Sequence, residues 1–278
     1  MTPVPTPTSW TKSAAFVPET ASRLWPFVVG TVNAYRPPPW NARLLLWWGL
    51  AEALFHIQPT QPRENWRHLS REFLATLMHK EGAGTEHPSR AFVTSLIRPG
   101  ESVLDVGCGA GAGYESHRAA RLDASYVGVD SSEPSIEVAR DLYPAGDFRV
   151  GNATTLVSQF GSRSFDVVLL RHVLEHMPDF EQPMQQAISV SRRLAVFVFY
   201  LTPRSLPFGV RKLDLGINRP QFFAYIYSRS AIERVLARRG LQWVWQDHLG
   251  LSRAGWFANE VNSALVVSPA DPVRLQRL

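Results

Sequence analysis

From about residue 101 onward, short unbroken runs of Val, Leu and Phe alternate with amphipathic stretches. Apolar runs without an in–out alternation fit strands buried on both faces, and helical stretches between them predict a parallel sheet covered on either side. The predicted strands are 102–106, 126–130, 148–150, 165–170 and 194–201, with helices over 112–121, 133–142 and 179–191. A later helix is predicted over 230–239. There Ser230-Ala-Ile-Glu233 has capping-box spacing, Ile232, Val235 and Leu236 form the apolar stripe, and Gly240 is placed to stop it. Two more strands, 241–248 and 261–267, bring the total to seven. The fold class is α/β with a doubly wound sheet.

The first 80 residues follow another pattern. Residues 1–40 are rich in Pro and Thr and end in Arg36-Pro37-Pro38-Pro39-Trp40. Pro at this density forbids a continuous helix or central strand, which predicts an arm or extended cover. Residues 41–57 read as a helix that is apolar almost all round, with Asn41, Glu52 and His56 forming a narrow polar stripe. Such a helix packs on a domain or lies on a membrane surface. Surface-bound helices carry Lys or Arg along the polar face, and here only Arg43 is present, so packing is the preferred reading. Trp66, Leu69, Phe73 and Leu77 mark a second helix over 63–79. The expected organisation is an arm and helical lid region at 1–80 and a catalytic domain at 81–278. Within the latter, 202–224 forms a substrate cap of mixed basic and aromatic composition; long irregular insertions of this kind usually serve as lids.

Composition narrows the class. The chain has 278 residues, 45% hydrophobic and 19% charged, enough for one large folded core and unlike a disordered protein. Its single cysteine, Cys108, excludes an internal disulfide and suits a reducing compartment. The opening MTPVPTPTSW has neither the basic start nor the apolar stretch of a signal peptide, and no apolar run approaches the ~20 residues of a membrane span. A cytoplasmic location is expected. Net charge is +5, but residues 192–239 hold ten basic side chains against Asp214 and Glu233, giving that stretch +8 and the remainder −3. An anionic group on the substrate, met by cap residues Arg211 and Lys212, is one reading; basic decoration of a solvated helix face by Arg229, Arg234, Arg238 and Arg239 is the other.

The stretch Val103-Leu-Asp-Val-Gly-Cys-Gly-Ala-Gly-Ala-Gly113 carries the most chemistry. Glycines 107, 109, 111 and 113 leave a strand end and open a helix, where backbone can approach a ligand closely. Gly107, Gly109 and Ala112 also satisfy a dinucleotide fingerprint, with Asp130 about twenty residues on. Asp105 separates the two readings. A loop built for a pyrophosphate does not want a carboxylate two residues before its first glycine, whereas a loop for a cationic amino-acid moiety does.

These residues resemble the class I S-adenosylmethionine-dependent methyltransferases, in the small-molecule, ubiquinone-biosynthesis-like version. VLDVGCGAG looks like the family's first motif, and Tyr126-Val-Gly-Val-Asp130-Ser131 like its second. Gly151-Asn152-Ala153 stands where Gly-Asp-Ala is usual, and residues 165–176 resemble the fourth-strand motif. The resemblance covers about residues 88–268. It implies a Rossmann-like methyltransferase fold whose sheet is mixed because its last strand is antiparallel, and S-adenosyl-L-methionine as cofactor. Asp105, Gly107, Cys108, Gly109 and Gly111 would hold the methionine end, with Cys108 mainly an apolar filler. Asp130 and Ser131 would serve the ribose, and Asn152 or the Ala153 backbone the adenine. Arg171 would lie on the cofactor side of the site, and Tyr225 would touch the substrate. His87 and Arg90 could reach the cofactor carboxylate, but a solvated helix start is the preferred reading.

His172 and His176 are i, i+4 after strand four. A metal site built on them lacks a third convergent ligand, so none is expected. With a pKa near about 6.5, His suits proton removal from a hydroxyl or amine. His176 is the candidate base or substrate contact and His172 a cofactor-side residue; Glu175 would not share their face if the segment is helical. The expected activity is methyl transfer to an O, N or C nucleophile of a small metabolite or natural-product substrate, anionic in one reading. An RNA methyltransferase and a non-catalytic S-adenosylmethionine-binding protein are the alternatives, although no RNA-binding module or RNA-type catalytic motif is visible. A nicotinamide dehydrogenase would leave Asp105 and the 165–176 motif unexplained.

Overall fold

A computed structural model describes residues 69–75, 87–199, 202, 209–213, 222–247, 249 and 262–269. The arm at 1–40, the helix at 41–57 and most of the 202–224 cap lie outside these residues. Within them the elements are α1 (Pro88–Ser95), β1 (Ser102–Val106), α2 (Ala112–Ala119), β2 (Ser125–Asp130), α3 (Glu133–Leu142), β3 (Asp147–Val150), α4 (Leu156–Phe160) and β4 (Phe165–Arg171). A 3₁₀ turn (Leu174–His176) follows, then α5 (Glu181–Val190), β5 (Ser191–Phe199), β6 (Gly209–Leu213), β7 (Phe222–Ile226), α6 (Arg229–Arg238), β8 (Gln242–Gln246) and β9 (Ser263–Ser268).

Seven strands form one sheet in the order β3-β2-β1-β4-β5-β9-β8. The first five pair in parallel, and β9 runs antiparallel to both β5 and β8. The doubly wound mixed sheet expected from the sequence is therefore present. Both faces are covered because successive residues of each central strand serve opposite faces. Leu104, Val168, Leu170, Ala195, Phe197 and Phe199 pack toward Met184, Ala187, Ile232 and Leu236 of α5 and α6. Val103, Val167, Leu169, Val196 and Val198 face Val93, Ile136 and Ala139 of α1 and α3. Each such fully buried side chain contributes roughly 1.5–3 kcal/mol, so the unbroken apolar runs seen in the sequence are what a two-faced core requires.

Three details differ from the expectation. The cap contributes an antiparallel ribbon, β6 paired with β7, where an irregular segment was expected, and β7 packs over the 3₁₀ turn that follows β4. Ser228, not Ser230, is the N-cap of α6; its hydroxyl accepts from the Ala231 N–H, while Glu233 accepts from the Trp245 indole at 2.8 Å. Finally, about half of the +8 of residues 192–239 is compensated by acids elsewhere in the chain. Arg192 pairs with Asp166, Arg193 with Glu101, Arg229 with Asp247 and Arg238 with Glu181. Arg229 also lies over the Trp245 ring at 4.5 Å, so it does not decorate a solvated face, although Arg234 and Arg239 do.

Of the N-terminal 80 residues, 69–75 are described, and residues 71–75 are helical as the periodicity predicts. Leu69 and Leu74 are buried against Ala110, Ala112 and Val138, so this segment packs on the glycine-rich loop and α3. Arg71 pairs with Glu137 and Asp141 across the contact.

Candidate active site

The carboxyl ends of β1, β2, β3 and β4 lie along one edge of the sheet, where ligands bind in open α/β folds. The loop after β1 is shaped by backbone that only glycine adopts easily. Gly107, Gly109 and Gly111 all have positive φ, at 74°, 54° and 95°. A Cβ on Gly107 or Gly111 would strike Val173 or Tyr143, but one on Gly109 would meet nothing within 4 Å. Gly109 thus borders open space at the point where the loop turns into α2. Cys108 is buried in the apolar cluster and its thiol is held well above the ordinary range by burial, as a filler would be.

Asp105 is the central charge. It sits in β1 on the face covered by α1 and α2, and is only 7% exposed. The Tyr126 hydroxyl donates to its Oδ2 at 2.5 Å. A Cβ on Gly113 would lie 2.1 Å from the same oxygen, so α2 needs glycine there to admit the carboxylate. Burial pushes the Asp105 carboxyl up to about 6, opposed by the Tyr126 hydrogen bond and by the positive charges of Arg90 and Arg171. A buried acid in this state favours an incoming cation.

Asp130 ends β2 and accepts from two backbone N–H groups: Gly109 to Oδ2 at 2.9 Å and Ser132 to Oδ1 at 2.8 Å. It therefore fastens the glycine loop to the start of α3. Ser131 lies between these partners. The Asn152 amide oxygen accepts from both the N–H and the hydroxyl of Thr154, at 3.0 and 2.9 Å. Its two lone pairs are used locally, which leaves adenine recognition to the amide NH₂ or to the Ala153 backbone rather than to that oxygen.

Three positive or imidazole groups gather on the other side of Asp105. Arg90 is buried, contrary to the solvated helix start expected. Arg171, at the end of β4, donates from Nε to the Ser89 hydroxyl at 3.1 Å. His87 caps α1, accepting from the Ser89 N–H; burial and these two guanidiniums hold its ring down to about 4. Only Arg171 stood among the main candidates in the sequence; the role of α1 had no local signal, because it depends on a contact with β1.

The β4 exit is not helical through His172. That residue has φ +57°, and its N–H bonds to Val198 O, before the chain enters the 3₁₀ turn. Consequently Glu175 does approach His172, with Oε1 3.8 Å from Nδ1, which corrects the helical-face argument. Burial, then the charges of Arg171 and His87, hold His172 well below its ordinary range, so its ring is neutral at pH 7. His176 is half-buried on the turn beneath β7. Tyr225, on β7, is half-buried and lies nearly parallel to Tyr227 at 6.1 Å. Arg211 and Lys212 occupy β6, in register with Ala224 and Phe223. Among the described residues no group of three His, Cys, Asp or Glu side chains could hold a metal ion, and no helix is long and apolar enough to cross a membrane.

This geometry carries a stability prediction. Between the unfolded value of 3.8 and the folded value of about 6, Asp105 favours the folded state at low pH and loses that contribution as pH rises through 6. The difference corresponds to about 3 kcal/mol. His87 and His172, whose values are lowered, act in the opposite sense below about pH 6.5. The contrast is therefore with Asp105→Asn: urea denaturation at pH 4 and pH 8 should show wild type losing about 2.5 kcal/mol relative to that variant. Parallel pH dependence of the two proteins would contradict the assignment.

The chain is similar to known methyltransferases. A family model described as a methyltransferase domain matches residues 97–203. A ubiquinone biosynthesis O-methyltransferase of Chelativorans sp. is 41% identical over 166 residues, covering 55% of this chain and 62% of that protein. Phosphoethanolamine N-methyltransferase 1 of Arabidopsis thaliana is 34% identical over 96 residues, 33% of this chain and 19% of that protein. The chain thus spans less than two thirds of these relatives. Among solved structures, that of the [4+2]-cyclase SpnF superposes with a TM-score of 0.52 at 16% identity, covering 77% of this chain and 97% of that one. Residues 97–203 thus match a methyltransferase domain, and the chain is similar to S-adenosylmethionine-dependent methyltransferases of class I over that region.

Proposed function

We propose that this protein transfers the methyl group of S-adenosylmethionine to an O, N or C nucleophile of a small molecule. The observation that carries the reading is the juxtaposition of a buried carboxylate, Asp105, with the guanidiniums of Arg90 and Arg171 beside an open glycine loop. An α-amino acid end presents an ammonium and a carboxylate together, and this constellation offers one partner for each. A carboxylate oxygen can accept more than one hydrogen bond, so Asp130 can serve the ribose hydroxyls as well as the loop N–H groups. Ser131 and the Ala153 backbone line the nucleoside side. When bound, the sulfonium supplies an activated methyl group and its own leaving group.

The chain's part is then mainly to position the acceptor and exclude water. The β6–β7 ribbon over the 3₁₀ turn covers the side on which an acceptor would enter. His176 and Tyr225 are the proposed acceptor contacts, with His176 taking the proton of a hydroxyl or amine. His172 is neutral and poorly basic, so it is assigned to the cofactor side. With four of the ten basic residues of 192–239 paired, an anionic acceptor rests on Arg211 and Lys212. The relatives' names include both an O- and an N-methyltransferase, and a fold neighbour described as a cyclase shows that fold alone does not fix the reaction. A cytoplasmic setting is proposed from the lone, buried Cys108.

The test is transfer of label from methyl-labelled S-adenosylmethionine to metabolite extracts and, separately, to bulk RNA. Label in a small molecule is expected, together with a pH–rate profile whose basic limb changes in His176→Ala. Label in RNA, or cofactor binding with no transfer to any acceptor, would replace the reading with the corresponding alternative. Binding of NAD(H) but not of S-adenosylmethionine would overturn it.

A further inference from the structure

We propose that Tyr126 is a positioning residue for cofactor recognition, clamping one oxygen of Asp105 so that the other is presented to the cofactor's ammonium group. The inference rests on the reading above and adds a residue to it. Asp105 Oδ2 is enclosed: the Tyr126 hydroxyl donates to it at 2.5 Å, and the Gly113 backbone leaves no room for a Cβ within 2.1 Å. With Oδ2 tied to Tyr126 and seated against the Gly113 backbone, Oδ1 is the oxygen assigned to the ligand. Tyr126 is itself immobile. Its ring packs against Tyr114 and His117 at 5.3 and 5.4 Å and against Phe148 at 6.3 Å, in the core beneath α2. Burial and the neighbouring Asp105 charge hold its hydroxyl well above the ordinary phenol range, so it remains a donor throughout the working pH range.

The charges facing Asp105 come from every element around it: Arg90 from α1, Arg171 from β4, Asp130 from the end of β2 and Cys108 from the loop. None of these is changed by removing the phenolic oxygen. Tyr126→Phe keeps the ring packing and deletes the donor, so the carboxyl should hold its proton to higher pH. A hydrogen bond to a charged group is worth roughly one to two pH units on its acceptor.

The experiment is calorimetric binding of S-adenosylhomocysteine between pH 5 and 7.5, with adenosine as the probe lacking the amino-acid end. Wild-type affinity for S-adenosylhomocysteine should rise with pH and level off above about 6. In Tyr126→Phe the same rise should come about one unit higher, so that binding is roughly tenfold weaker near pH 5, about fivefold weaker near pH 6 and close to wild type at pH 7.5. Adenosine should bind both proteins equally. Asp105→Asn should abolish the pH dependence, and adding Tyr126→Phe to it should change little further. Equal loss at every pH, or loss of adenosine binding as well, would make Tyr126 merely structural and overturn the proposal, as would an unchanged profile. If wild type binds adenosine but shows no gain from the amino-acid end, the proposal falls while nucleoside binding stands; if it binds neither, the functional reading falls first.

Discussion

Replacing Asp130 by Ala should weaken S-adenosylmethionine binding roughly 5- to 150-fold and also lower the stability of the free protein. Two ribose hydroxyls left unpaired in a desolvated site cost about 1–3 kcal/mol, which sets the range of the binding effect. The second effect follows from the structure. Both oxygens of Asp130 already accept backbone hydrogen bonds, from Gly109 and Ser132. Without them the loop N–H at Gly109 and the entry to α3 lose their acceptor, at a further cost of about 1–3 kcal/mol before any ligand is added. Calorimetry and urea denaturation on the same preparation separate the two. A variant that is destabilised but binds normally would mean that Asp130 only fastens the loop, and the ribose has another partner.

A larger loss is expected for Gly107→Ala. The backbone at 107 has φ +74°, where an L side chain costs about 1–2 kcal/mol. The added Cβ would also sit 2.3 Å from Val173 Cγ2, and overpacking of this kind costs about 1–3 kcal/mol. Together roughly 2–5 kcal/mol of stability should be lost, with ligand binding impaired because the loop moves. Adding Val173→Ala should recover the steric part and leave the conformational part. Full recovery, or none, in the double variant's denaturation midpoint would show that only one of the two effects operates.

How far the sequence reaches is instructive at this loop. The glycines, Asp105 and Asp130 are legible because each is dictated by local backbone and by spacing along one βα unit. β1 and α3 coincide with their predicted bounds, since their patterns are strong and well bounded. Arg90 was misjudged because its burial depends on α1 packing over β1, a contact no short window reveals. Glu175 was misjudged because His172 leaves the helical path at a single left-handed residue. α4 has five residues and β6 reads Gly-Val-Arg-Lys-Leu, too short or too polar for a periodic signal. Charge counted along the chain misled for a similar reason: the acids facing Arg192, Arg193, Arg229 and Arg238 come from segments remote in sequence.

The sheet's strand directions divide its connections into two populations. At the edge away from the ligand loops, the chain turns back within a few residues after α1, α2, α3, α4 and α6, and α5 runs directly into β5. Several of these turns are fixed by left-handed residues, among them Gly100, Arg121, Gly161, Arg163 and Gly240. The long connections from Phe199 to Phe222 and from Gln246 to Ser263 leave and return at the opposite edge, beside Asp105 and His172. Insertions, deletions or grafts in either connection leave every pairing of the seven-stranded sheet unaltered, although those between Phe199 and Phe222 include β6 and so change its ribbon with β7. For evolution and for engineering alike, these connections can be rewritten on a constant frame, and chimaeras exchanged at Phe199 and Ile226, so that the ribbon moves whole, or at Gln246 and Ser263, are the natural units for doing so.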